Sequence, residues 1–228
     1  MGKLLVDTLA KDLEVNIKNP HMVTIAIEIL KQCNDLNATE AASSSGKYHP
    51  IADLGYQGLV RHSRMVAELA TIMARSIPTY DNELDHDIIY LSAILHDMCK
   101  YQEASEGDKG YTSKDNIHTN FDHPIKMQAL ISEVVPKILA ADNIHIEFED
   151  KAKIEDAWRR IGMNIASHMS RWNTSKYAPG IELPLPQSLE QYIIVFADLI
   201  SANAQLPETM QSMKNLAINF MTGRIKAE

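Results

Sequence analysis

Cysteine is scarce in this chain: only Cys33 and Cys99 occur among 228 residues. Two thiols make no disulfide framework of the kind that staples small secreted domains, so reduced thiols in a cytoplasmic protein are expected. Long apolar runs are missing too. The strongest late run, residues 192–200, is far too short to cross a bilayer and is interrupted by Asp198. The N-terminal MGKLLVDTLAKDLE lacks the apolar core of a signal peptide, and no membrane partner is expected. Positive charge is short: 22 Lys and Arg face 30 Asp and Glu, a net charge of −8. Duplex nucleic acid needs a positive surface, which excludes it as a non-specific partner. A small anion in a locally basic site stays open. Strand signals are also few, with little alternation and no Asn-Gly hairpin turn.

Helical periodicity is what the chain has in quantity. Helices are expected over 3–17 and 20–36, the second opened by Asn19-Pro20, a cap followed by proline at the first turn. The polar stretch 37–47 reads as a linker. Further helices are expected over 56–76, 84–102, 124–140, 150–172, 187–206 and 207–222. His123 would cap the 124–140 helix. The charged segment 103–122 reads as a long loop, a form that is usually functional or mobile, and 173–186, with three prolines, as irregular. The expected fold class is all-α, with an N-terminal helical extension (1–45) ahead of the main domain (46–228).

Within that pattern stands an ordered set of metal-ligand residues: His62, His96-Asp97, His123, His168 and Asp198. Each falls on an apolar helix stripe or at a helix end. Asp198 is embedded in IIVFADLI, where an unpartnered carboxylate would be costly. Any one of these residues alone is more often a hydrogen-bonded core residue. Together they supply enough imidazole and carboxylate ligands for two metal ions, in a donor mix that suits Fe, Mn, Co, Ni or Zn.

The segments that carry these residues resemble the HD-domain superfamily of metal-dependent phosphohydrolases. RHSRMVAELA (61–70), LSAILHDMCK (91–100), FDHPIKMQAL (121–130), ASHMSRW (166–172) and VFADLISA (195–202) are similar to its successive ligand segments. The resemblance spans roughly residues 50–205 and implies an HD helical bundle with extra N-terminal helices. The presence of His123 and His168 resembles the dinuclear branches. That implies one metal ion on His62, His96, Asp97 and Asp198, with Asp97 bridging to a second on His123 and His168. Two such ions can hold a water between them, lower its pKa and neutralise charge as the hydroxide attacks phosphorus in line. No Gly-Tyr-Pro tripeptide is present, which argues against cyclic dinucleotide specificity. Met127 and Gln128 stand where tetraphosphatase-type relatives have Gly-Ala.

Neighbouring residues fit a phosphate-handling role. Lys100 is i+4 from His96 and i+3 from Asp97, on their helix face, and could act in catalysis by holding a phosphate oxygen. Arg171 and Trp172 are i+3 and i+4 from His168, placed to clamp a phosphate and stack on a base. Arg61 and Arg64 point away from the His62 stripe by about 100 and 200 degrees. His118 rivals His123 as a ligand, but the following proline and apolar helix favour His123. Cys99 should face a neighbouring helix. His21, His49, His86 and His145 are expected at the surface. The expected activity is hydrolysis of a phosphoester or phosphoanhydride bond in a nucleotide or related small phosphate ester. A di-iron oxygenase or a 3′-to-5′ exonuclease are the alternatives. The N-terminal helices could pack against a second copy.

Overall fold

The computed structural model describes residues 2–43, 49–77, 84–106, 108, 110–113, 116–141 and 146–203. Eight α-helices lie in them: α1 (Lys3–Asn16), α2 (Pro20–Gln32), α3 (Leu36–Thr39), α4 (Gly58–Ser76), α5 (His86–Leu95), α6 (His123–Leu139), α7 (Phe148–Ala166) and α8 (Leu189–Asn203). Three short strands, β1 (Tyr101–Glu103), β2 (Gly110–Thr112) and β3 (Ile117–Asn120), separate α5 from α6. The mostly helical architecture is the expected one. None of the described helices is long and apolar enough to cross a membrane.

The bundle forms around α5. Asp85 caps it, accepting from the Asp87 and Ile88 amides at 2.8 and 3.3 Å. Every residue from Asp87 to Leu95 is buried, as expected of a helix with little polar face and neighbours on all sides. Helices α4, α7 and α8 pack against it. Its C-terminal end therefore delivers residues 96–100 to the middle of the molecule.

The N-terminal helices join the same core. Leu5, Leu9 and Leu13 form a fully buried i, i+4 stripe on α1. Polar fastenings add to it. The Arg64 guanidinium binds the Asp12 carboxylate (3.0 and 2.8 Å) and the Thr8 carbonyl (2.9 Å). The Asp87 carboxylate accepts from the Lys18 and Asn19 amides.

Several boundaries differ from the sequence expectation. The 20–36 helix ends at Gln32, and the expected linker starts instead with α3, where Asn37 and Ala38 are fully buried. Asn37 pairs with the backbone of Tyr101, donating to its carbonyl (3.1 Å) and accepting from its amide (2.8 Å). The 84–102 helix stops at Leu95, before the chain turns into β1. The 150–172 helix likewise stops at Ala166, with a separate 3₁₀ turn at Ser170–Trp172. His123 is the first residue of α6 rather than its cap, which is Asp122.

Where a loop over 103–122 was expected, the described residues contain strands of an antiparallel sheet in the order β1-β3-β2. Strands of three or four residues are too short to show a period. The buried face of β3, moreover, is His118 and Asn120, so its alternation is polar and escapes a hydrophobic pattern. The expected helix over 207–222 lies outside the described residues.

Candidate metal centre

The six sequence-predicted donors come from five separate segments and meet in one place. His62 and Asp198 project from within α4 and α8. His96, Asp97 and His168 follow the last turns of α5 and α7, and His123 opens α6. Helix C-termini carry partial negative charge, so the ends of α5 and α7 favour a cation between them.

Backbone carbonyls orient three of the rings in the same way. His96 Nδ1 lies 2.7 Å from the Ala93 oxygen, His123 Nδ1 2.8 Å from that of Asn120, and His168 Nδ1 2.8 Å from that of Ile165. A carbonyl only accepts, so each Nδ1 carries a proton, and in the neutral ring each Nε2 presents a lone pair. Fixing the distal nitrogen in this manner is how proteins aim metal-binding imidazoles. His62 is held by the buried Ser201, whose Oγ is 3.1 Å from its Nδ1.

The Nε2 atoms converge on two carboxylates. His62 Nε2 is 3.0 Å from Asp198 Oδ1, and His96 Nε2 is 3.9 Å from the same oxygen. Asp97 faces both halves of the set. Its Oδ1 lies 2.8 Å from His123 Nε2 and 3.7 Å from His168 Nε2, while its Oδ2 lies 3.6 Å from His96 Nε2. Two metal-competent triads result, His62–His96–Asp198 and His96–Asp97–His168. His62 Nε2 and His96 Nε2 are buried without a hydrogen-bond partner. Buried polar atoms are normally paired, so lone pairs left open beside carboxylates fit a cation.

The electrostatics keep the donors in ligand form. Burial pushes the His96 pKa down, and burial together with His96 and His123 takes His168 to about 3. Burial would raise Asp97, but the Lys100 ammonium and the His96 and His123 rings outweigh it and hold the carboxyl well below the usual range. Asp198 is lowered in the same sense, its burial outweighed by the adjacent His62 ring and by the His96 and His168 imidazoles.

Lys100 lies on the predicted face and pairs with Asp97 Oδ2 at 2.6 Å. Burial would lower its pKa, but Asp97 reverses that and raises it. Arg171 and Trp172 stand exposed in the turn just past His168, with the guanidinium 4.3 Å above the indole ring. They stack on each other instead of reaching inward. His118 lies on β3 with its Nδ1 2.9 Å from Thr112 Oγ1, and it joins none of the metal-competent groups among the described residues. Cys99 faces Cys33 at the C-terminal cap of α2, where it and burial together raise the Cys33 thiol.

Three further residues pack at the centre that the helical pattern does not single out. His49, expected at the surface, packs edge-on against His62 with ring centroids 4.5 Å apart. Asp53 joins the two in a third metal-competent triad. Neither bears a helical relation to the ligand segments, so periodicity could not find them. Asn120 organises the other side. Its side chain donates to the Cys99 carbonyl (3.0 Å) and to Gln102 (3.1 Å), and accepts from Lys126 (2.7 Å). Its own carbonyl holds His123. His21 and His86 are partly buried away from these groups, and His145 lies outside the described residues.

Histidine and carboxylate donors gathered at the end of a buried helix define a metal-binding helical domain. The HD domain family matches residues 59–203, more than half of the chain, and the protein belongs to that family. HD domains bind divalent metals and are in general metal-dependent phosphohydrolases. No curated protein and no solved structure matches the chain.

Proposed function

We propose that this HD protein hydrolyses a phosphoester or phosphoanhydride bond in a nucleotide or a related small phosphate ester, using two divalent transition metal ions. The observation that carries the reading is the placement of Asp97. One of its oxygens faces His123 and His168, and the other faces His96. A carboxylate so placed suits a bridge, with His62, His96 and Asp198 on one ion and His123 and His168 on the other. When bound, such ions lower the pKa of a coordinated water and offset charge on a phosphoryl oxygen.

The chain's own groups would do the rest. The backbone carbonyls of Ala93, Asn120 and Ile165 keep the imidazoles aimed, and burial keeps His96 and His168 neutral. Four of the six donors are histidines, which add no negative charge as ligands, so an anionic substrate meets a site not overloaded with negative charge. Lys100 has three donors and gives one to Asp97, which leaves two for a phosphate oxygen. Arg171 and Trp172, on the rim beyond His168, would hold the distal part of the substrate: the guanidinium a further phosphate, the uncovered indole face a base. Residues 46–228 would form the catalytic domain and 1–45 an extension that buttresses it, in a cytoplasmic protein.

The test is chromatographic. Nucleotides of every phosphorylation state are incubated with protein loaded with Mn²⁺, Co²⁺ or Fe²⁺, beside Asp97→Ala. Release of phosphate, pyrophosphate or triphosphate that disappears in the variant supports the reading and names the bond cut. Turnover that requires O₂, or none with any phosphate ester and any metal, contradicts it.

A further inference from the structure

Beyond the two triads drawn from the six donors, the described residues hold one more group with metal-binding chemistry, and it shares His62. His49, Asp53 and His62 offer ligand atoms that all lie within 4.8 Å of one another. His49 and Asp53 precede residues 59–203, the span that matches the family, so this feature belongs to the part of the chain ahead of the match. His49 Nδ1 and His62 Nε2 are both buried and lack a hydrogen-bond partner.

The turn that carries Asp53 is built onto the helix that carries His62. The Asp53 amide donates to the Pro50 carbonyl and its carbonyl accepts from the Ala42 amide, both at 2.9 Å. Arg61, one residue before His62, clamps the turn through the Ala52 carbonyl (2.8 Å) and the Tyr56 carbonyl (2.7 Å). Gly58 lets the turn lie flat on the start of α4, because a Cβ there would collide with the Asp53 carbonyl.

The three metal-competent triads overlap in a row. His62 is shared by the first and second, and His96 by the second and third. A neutral imidazole has one lone pair to give, so His62 can serve the outer position or the inner one, never both together. That excludes a third resident ion held by His62 alongside a fully ligated centre. It suits an ion in passage. His49 is partly exposed, Asp53 is 8% exposed, and His62 and His96 are wholly buried.

We propose that His49, Asp53 and His62 form a loading site that captures a divalent cation and passes it inward, His62 keeping its hold while His96 and Asp198 replace His49 and Asp53. This rests on the reading that His62, His96 and Asp198 hold a metal ion.

The test follows Co²⁺ uptake by metal-free protein in a stopped-flow absorption experiment, comparing the wild type with His49→Ala, His49→Gln and Asp53→Asn. Circular dichroism checks that each variant is folded. The expected result is uptake slower by about tenfold or more, the scale on which supporting residues alter metal binding, with a final Co²⁺ count and visible spectrum equal to wild type. Unchanged uptake in all three folded variants overturns the loading site and leaves the centre standing. One ion fewer at saturation also overturns it, since the outer triad would then hold a resident ion. A wild type that binds no Co²⁺ overturns the underlying reading as well.

Discussion

His123 Nε2 and His168 Nε2 stand 3.3 Å apart, although each ring has its proton on the opposite nitrogen, held by a carbonyl. With both rings in the neutral form that binds metal, two lone pairs at that distance repel, and Asp97 Oδ1, 2.8 Å from the first, adds negative charge to the same spot. A cation between them turns this arrangement from costly to favourable. Its structural consequences can be measured separately from any catalysis.

Metal should stabilise the fold. A ligand that binds only the native state adds about 2.7 kcal/mol at a hundredfold excess over its Kd. The melting temperature should therefore climb with added Mn²⁺ or Co²⁺ and fall back with chelator. A melting curve indifferent to both would mean that the imidazoles are satisfied without an ion.

Acid should unfold the metal-free protein from an unusually high pH. His49 and His168 are lowered from 6.5 to about 3, and His96 is lowered too, in each case with burial as the first cause. The unfolded chain takes up protons at these rings that the native state refuses. Stability is therefore complete above pH 6.5 and falls as pH drops from 6.5 towards 3. Denaturant midpoints measured across that window should decline with acidification, and saturating metal should raise them throughout while the decline persists, since the unfolded rings still take up protons. A constant midpoint between pH 6.5 and 4 would show the rings to be freely protonated in place.

Asn120→Ala should weaken one half of the centre. The side chain fixes the end of β3 to residues 99, 102 and 126, and the Asn120 carbonyl orients His123. Loss of such support lowers metal affinity by roughly 10- to 100-fold. Calorimetric titration should show that loss in one binding event while the other keeps its affinity. Equal weakening of both would mean that Asn120 acts on global packing.

Lys100→Gln should separate binding from chemistry. The ammonium touches Asp97 at 2.6 Å and has donors to spare. Its removal should raise KM for a phosphate substrate by about tenfold, the cost of one charge-assisted hydrogen bond, while the metal count is unchanged. A variant that loses metal instead would make Lys100 a support for Asp97 alone.

Most of the centre was legible in the sequence because its donors sit at helix ends or on apolar stripes, where a polar residue stands out. His62 and Asp198 illustrate this, and so does Lys100, whose place on the Asp97 face follows from helical geometry. The helical class was legible for the same reason. The sheet was not, because β3 buries His118 and Asn120 instead of apolar side chains. Nor was α3, where buried Asn37 looks like part of a polar linker until Tyr101 is seen across from it. His49 and Asp53 were hidden because a turn has no period; only the packing of that turn on α4 brings them to His62.

Anomalous diffraction from crystals soaked in Co²⁺ decides whether Asp97 joins two ions. Two peaks about 3.5–4 Å apart are expected, one among His62, His96 and Asp198, the other beside His123 and His168, with Asp97 between them. A single peak among His62, His96 and Asp198, with His123 and His168 empty at saturating metal, would contradict the bridge.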